Sequence, residues 1–286
     1  MVRLIGFLRV IVVIALDYLA VVAVFHNPAI AGGIAAVIGI YSWFGGHIAL
    51  LKEGAVPVGK LPTLDRDRLE RAKKQLVDDV KSKDGLDITA LKLYLVPGDG
   101  LHATAYGNNS VSVSRGTLDN ADPVSLNGVL AHEVSHILHL DPEFSRTVFA
   151  SVTLVVASLS VFSFATMLVV FLVFVVLDCF KSWLGLLAFR GTTKLTSGLI
   201  GLLQKAVVMI YQTVLSLVNR SAEYRCDEYA ASLGYGIQLA HFLELSAPES
   251  GHRLTLTEAL YRSHPPTEKR VCRLEEYSKR KMLTKH

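Results

Sequence analysis

The hydrophobic positions of this chain fall into four long blocks separated by polar stretches. Leu4 to Phe25 is apolar apart from Arg9 and Asp17, and Ala29 to Leu51 follows after the turn signal His26-Asn27-Pro28. A bilayer core takes roughly 20 apolar residues in helical form. The two runs (about 4–25 and 29–51) therefore predict a transmembrane hairpin over residues 1–51. A secretory leader would show one shorter apolar run, not two in succession. Val148 to Leu177 and Leu195 to Val218 predict a second hairpin over 148–218. Tilt or an extension beyond the bilayer absorbs the excess length of the third run.

Between the hairpins the period changes. In residues 52–147, Pro57, Gly59 and Pro62 mark a loop, and the charge-rich segment Asp65 to Lys83 carries Leu69, Ala72, Leu76 and Val80 on one helical stripe. Leu91, Leu93 and Leu95 alternate with Lys92 and Tyr94, the period of a half-buried strand that ends at Pro97-Gly98-Asp99-Gly100. A second alternating run is Ser110, Val111, Ser112, Val113 and Ser114. Asp122-Pro123 opens a helix, with Asp as cap and Pro in the first position. Residues 219–286 are polar and mostly helical in pattern. The expected fold is a mainly α membrane protein: four transmembrane helices plus a small α+β domain assembled from the discontinuous segments 52–147 and 219–286.

Composition supports the membrane reading. Of 286 residues 51% are hydrophobic and only 19% charged, against about 25% charged in soluble domains. The net charge is +4 with no basic patch interleaved with aromatics, which argues against nucleic acid as a partner. Cys179, Cys226 and Cys272 form neither a paired set nor a C-x-x-C motif, although Cys226 lies among the candidate ligands below. Arg3 and Arg9 lie at the start of the first span, the 26–28 turn has no Lys or Arg, and Lys52, Lys60, Arg66, Arg68, Arg71, Lys73 and Lys74 follow the second span. The positive-inside rule then places both termini and both polar segments in the cytoplasm of a plasma or inner membrane. The 178–194 loop, with Lys181, Arg190 and Lys194, dissents.

His132-Glu133-Val134-Ser135-His136 is an H-E-x-x-H motif flanked by apolar residues. On a helix the two histidines share a face and can hold one tetrahedral metal, with Glu133 placed to take a proton from water. A hydrolytic zinc takes three protein ligands and keeps one position open. A histidine six residues after His136 would be the metzincin solution, but Pro142 stands there; His139 reads as a local polar residue. The other solution is a glutamate on a second helix, and Glu223 with Asp227 supplies an E-x-x-x-D pair on one face. Glu223 would complete the metal set and Asp227 would accept the remaining ring N–H of a ligand histidine, foremost His132. A solvated acidic face is the plain alternative for that segment. Topology tells against it: Glu223 reaches the histidines only across an even number of membrane crossings, and the hydropathy pattern supplies two.

In this order of hairpin, H-E-x-x-H, hairpin and E-x-x-x-D, the chain resembles the HtpX-like membrane zinc endopeptidases, relatives of the CAAX-processing prenyl endopeptidases. A third local match is Ser263-His264-Pro265-Pro266-Thr267-Glu268-Lys269-Arg270. The resemblance implies a gluzincin-type catalytic domain, one Zn2+ per chain, and protein or peptide substrates met at the lipid bilayer in stress-linked quality control. It also implies an oxyanion role for His264 and a supporting pairing of Arg270 with an active-site carboxylate. By analogy, the strand Ser110 to Ser114 lies at the cleft edge and holds an extended peptide. In His102-Ala103-Thr104-Ala105-Tyr106-Gly107, His102 stands where relatives carry asparagine, so its place in the cleft departs from the family pattern. Two other readings are a silent adaptor with a structural zinc and, from the remoter relatives, prenyl-peptide processing. A transporter would need more polar spans. No signal of oligomeric state is present.

The intramembrane charges yield one prediction. Asp17 lies 13 residues beyond Leu4, and Lys205 lies 13 residues before Val218. Both therefore sit roughly 20 Å from the cytoplasmic ends of their spans. Charges at such depth cost about 2.5–3.5 kcal/mol each on the insertion scale unless partnered, and an ion pair is expected. In mild detergent, the Asp17→Asn/Lys205→Gln double mutant should be less destabilised than the sum of the single mutants. Simple additivity would rule the pair out.

Overall fold

The computed structural model describes residues 2–177, 181–247 and 265–283. It divides into two units, residues 1–147 with 216–286, and residues 148–215. Among the described residues are nine α-helices, four strands and a short 3-10 turn. Four of the helices are long and apolar enough to cross a membrane.

In the larger unit, α1 (Val2–Phe25) and α2 (Pro28–Lys52) form the first hairpin. Asn27 caps α2, its side chain accepting from the N–H groups of Ala29 at 3.0 Å and Ile30 at 3.2 Å, with Pro28 in the first position. The helix α3 (Thr63–Asp84) buries Leu69, Ala72, Leu76 and Val80, the stripe that its spacing predicts. Strand β1 (Val56–Pro57) precedes α3, and β2 (Lys92–Val96), β3 (Ala103–Tyr106) and β4 (Ser110–Ser114) follow it, in the sheet order β1-β2-β4-β3. The β2–β4 pair is parallel and the other two are antiparallel. After α4 (Arg115–Asn120), Asp122 caps α5 (Pro123–His139) through the N–H groups of Val124 and Ser125. The apolar faces of α3, α5, β2 and β4 share one core with residues of α8 (Gly236–Leu245) and α9 (Thr267–Leu283).

The sheet order corrects one expectation. Ser110, Val111, Ser112, Val113 and Ser114 do not lie at an edge: β4 is paired with β2 on one side and β3 on the other, and all five residues are buried. Its main chain has no free side on which to receive a peptide. The edge placement rests on analogy, whereas both faces of β4 are covered and the Ser114 hydroxyl donates to the Gly100 carbonyl at 2.6 Å. The edge strand beside β4 is β3.

Two long helices carry the chain into the smaller unit and back. These are α6 (Asp141–Val176, 36 residues) and α7 (Trp183–Leu233, 51 residues). At 1.5 Å per residue they are about 54 and 76 Å long, against roughly 30 Å of hydrocarbon. Helix therefore extends well into the expected 178–194 loop, because Trp183 to Lys194 contains no proline to stop it. Within the smaller unit, the Gln204 side chain on α7 donates to the Val156 carbonyl at 3.3 Å and the Ser160 hydroxyl at 2.9 Å on α6. Phe189 packs at 5.5 Å from Phe174 between ring centroids.

In the larger unit, α1 also runs against the end of α5. A Cβ at Gly6 would collide with the His139 carbonyl oxygen, whereas one at Gly33 in α2 meets no atom within 4 Å. Gly6→Ala should therefore lower thermal stability in detergent by about 1–3 kcal/mol through overpacking. Gly33→Ala should leave it unchanged or slightly raised, since alanine is the better helix former. Equal melting of the two variants would contradict the close approach.

Candidate metal centre

The capped helix α5 carries His132, Glu133 and His136 on the face that lines a cavity of about 580 Å³. From α7 come Glu223 and Asp227, one turn apart, and from α9 comes Arg270. The Nε2 atom of His132 is 3.5 Å from Glu223 Oε2, and that of His136 is 3.5 Å from Glu223 Oε1. Both Nδ1 atoms are turned away and tied back. His132 Nδ1 faces Asp227 Oδ1 at 3.0 Å, and His136 Nδ1 faces Asp141 Oδ2 at 2.9 Å. With Nδ1–H donating to a carboxylate, each ring leaves Nε2 free as a metal donor.

Arg270 closes the charge balance. It is 7% exposed, grips Asp227 with Nε at 2.8 Å and Nη2 at 2.7 Å, and reaches Glu223 Oε2 with Nη1 at 2.9 Å. Such a fork-to-fork pair fixes the carboxylate plane as well as its charge. Burial disfavours a charge on His132, but Asp227 and Glu223 outweigh it and push the imidazole up to about 10. Burial likewise opposes the charged form of His136, while Cys226, Asp141 and Glu223 act for it and hold it well above the ordinary imidazole range. Glu133 is raised by burial against the opposing pull of His132, His136 and the Ala105 main chain.

Ligand atoms of His132, His136 and Glu223 all lie within 4.8 Å of one another. A tetrahedral ion with bonds near 2.0–2.1 Å separates its ligands by roughly 3.3 Å, close to the two 3.5 Å spacings measured here. Two imidazoles and a carboxylate are also the donor set of hydrolytic zinc sites. These residues fit the ion.

The remaining candidates fall as follows. His102 lines the same cavity, together with Leu101 and Ala103 to Ala105 of the edge-strand region. His139 is kept local by Ser135, whose carbonyl is 2.8 Å from its Nδ1. His264 lies outside the described residues. Asp141 has no place in a periodicity argument, because five residues from His136 is the wrong face of a continuous helix. Leu140, at φ 55°, breaks that helix and turns the next one back, so that Asp141 meets His136. The signal was present as Asp141-Pro142, a helix-start pair directly after α5.

Comparison with known proteins identifies the family. Residues 67–278 match the model of peptidase family M48. The chain is 26% identical over 268 residues to the protease HtpX homolog of Salinibacter ruber, covering 85% of this chain and 84% of that protein. It is 26% identical over 278 residues to protease HtpX of Shewanella frigidimarina, covering 87% and 90%. The protease HtpX homolog of Methanocaldococcus jannaschii is 26% identical over 234 residues, covering 72% and 75%. Among solved structures, S. mikatae Ste24p aligns with a TM-score of 0.46 and 17% identity over 91% of this chain; the chain spans 61% of that structure. The chain belongs to peptidase family M48 and is a multi-pass membrane metalloprotease, a hydrolase acting on peptide or protein substrates.

The raised histidines give opposite pH slopes with and without metal. A folded value near 10 for His132, against about 6.5 unfolded, adds stability that is present below pH ~6.5 and lost as pH rises toward 10. Metal binding needs neutral imidazoles, so zinc affinity should rise over the same range. In detergent, the melting temperature of chelator-stripped protein should fall from pH 6.5 to 9 while the gain on adding zinc grows. Parallel pH profiles would contradict the assignment.

Proposed function

From this family membership, we propose that the chain is a zinc-dependent endopeptidase holding one ion through His132, His136 and Glu223. The observation that carries the reading is the pair of Nε2 atoms turned onto Glu223, each with its Nδ1 tied to a carboxylate, beside Glu133 in one cavity. Zinc, when bound, supplies a Lewis acid that acidifies water and polarises a carbonyl. Glu133, its proton affinity raised by burial, takes a proton from water at its carboxylate and delivers it to the leaving amine. Asp227 orients His132, and Arg270 keeps Asp227 ionised and pairs with Glu223. His264 is the proposed oxyanion donor; its neighbour Pro265 lines the cavity, which supports the role.

The peptide pairs with the outer edge of β3, taking the place foreseen for Ser110 to Ser114, and His102 stands at the start of that edge in place of asparagine. Segments 52–147 and 219–286 form the catalytic domain and the two hairpins embed it in the bilayer. The Lys/Arg distribution supports a cytoplasmic placement of that domain and of both termini. Misfolded or membrane proteins under quality control are the proposed substrates.

Ligand and base separate in one experiment. Glu223→Ala should lose both zinc and casein cleavage, whereas Glu133→Gln should keep one zinc per chain and lose cleavage and self-cleavage. A Glu223→Ala protein that still holds zinc and cleaves would refute the ligand set; an active Glu133→Gln would refute the base.

A further inference from the structure

We propose that Asp141 is a positioning residue for His136 and that Arg9 holds Asp141 in place, making the first membrane helix part of the zinc centre. This rests on the zinc reading above and extends it to residues that the motifs do not contain.

Asp141 is a hub of three contacts. Its Oδ2 takes His136 Nδ1 at 2.9 Å and the Arg225 guanidinium at 2.6 Å, and its Oδ1 takes Arg9 Nη2 at 3.1 Å. The side chain is 13% exposed, so the carboxylate is shielded from bulk water and its direction is set by these partners. A carboxylate on the far nitrogen of a ligand histidine fixes the tautomer and the ring plane, and its loss weakens metal sites. Asp141 therefore does for His136 what Asp227 does for His132. The two histidines are held by carboxylates from different helices, α6 and α7, Asp141 paired with Arg9 and Arg225 and Asp227 with Arg270.

Arg9 brings the membrane into this arrangement. A charged residue inside a span carries an energetic cost and is expected to have a specific partner. Arg9 has three: Asp141, the His139 carbonyl at 2.7 Å, and the ring of Phe144, whose centroid lies 5.1 Å from the guanidinium carbon. It thus clamps the end of α5 to the start of α6 across the Leu140 break, the one irregular backbone position between His136 and Asp141. Gly6, one turn earlier on α1, lets the helix approach closely enough for this.

His136, Asp141 and Cys226 also lie close enough to one another to suggest a second metal set. Two guanidiniums already neutralise Asp141, and a further cation there would have to displace them. The cluster reads as second support for His136, not as a site of its own.

The test uses the full chain in lipid–detergent micelles, with zinc affinity measured by chelator competition and the ligand field by the absorption spectrum after Co2+ loading. Asp141→Asn should weaken zinc by about 10- to 100-fold and shift the cobalt bands. Arg9→Gln should give a smaller loss of the same kind, Arg9→Lys a loss between Arg9→Gln and wild type, and neither should add to the loss in an Asp141→Asn background. If Arg9→Gln does not fold, Arg9→Lys in both backgrounds supplies the same cycle. Wild-type affinity and spectrum in Asp141→Asn, or additive losses, would overturn the proposal. A wild-type chain that binds no zinc, or a Glu223→Ala chain that binds it normally, would instead overturn the zinc reading beneath it.

Discussion

Six ionisable side chains meet at one point: Glu133, Glu223 and Asp227 against His132, His136 and Arg270. Removing a single charge from water costs several kcal/mol unless partners replace the solvent, so such a cluster persists only if its charges are matched and its hydrogen bonds filled. Arg270 supplies that match. Its guanidinium spans Asp227 and Glu223, two residues a turn apart on α7, and its Nη2 comes within 3.5 Å of His132 on α5. The last described helix is thereby bound to the two helices that bear the ligands, and Leu274, 1% exposed one turn further along α9, joins the common core. Placement of the last described helix and pairing of the proposed third ligand are one requirement.

That requirement dictates the rest of the path. The proposed ligands His136 and Glu223 stand 87 positions apart in sequence, and α6 and α7 make up most of the described chain between them. The fourth apolar run and the E-x-x-x-D segment prove to be one uninterrupted helix, so the third ligand is fixed by the rod that enters the membrane and not by a loop. At the other end, α5 is stopped by Leu140, in a left-handed conformation that non-glycine residues seldom adopt, and α6 begins at the next residue. The Arg9 bonds to His139 and Asp141 on either side of Leu140 account for its persistence there.

Much of this was legible beforehand, and the reasons are local. The α3 stripe Leu69, Ala72, Leu76 and Val80 and the Asp122-Pro123 start of α5 depend on near neighbours only, and spacing reports those directly. The four apolar runs were equally plain, as was the H-E-x-x-H face. The E-x-x-x-D pair needed the count of membrane crossings, a constraint that acts at long range yet can be read from hydropathy. What escaped depended on three-dimensional order. Sheet order is not written in the alternation of β4, because serine satisfied by backbone carbonyls is as compatible with burial as valine. Helix ends were missed where no breaker marks them, as at Trp183. Asp141 escaped because its role exists only through the break at Leu140, and Arg9 and Arg225 escaped because surface-like cations gain meaning only from the buried carboxylate they share.

The exchange of β4 for β3 at the edge carries a chemical consequence. The main chain of Ala105, in the middle of β3, favours the ionised form of Glu133, and Ala103 to Ala105 line the cavity that holds Glu133 and the histidines. An interior strand has no such group to spare, since both sides of its main chain are spent on the ladder. An edge strand has one free side, and here part of that side is already turned to the base of the proposed reaction. On the proposed pairing, a peptide laid along β3 lies on the strand whose residues share one cavity with Glu133, so the scissile carbonyl and the proton acceptor would be located together. The proposed base on a helix and the proposed substrate on an edge strand would then need no separate device to align them, because both face one cavity.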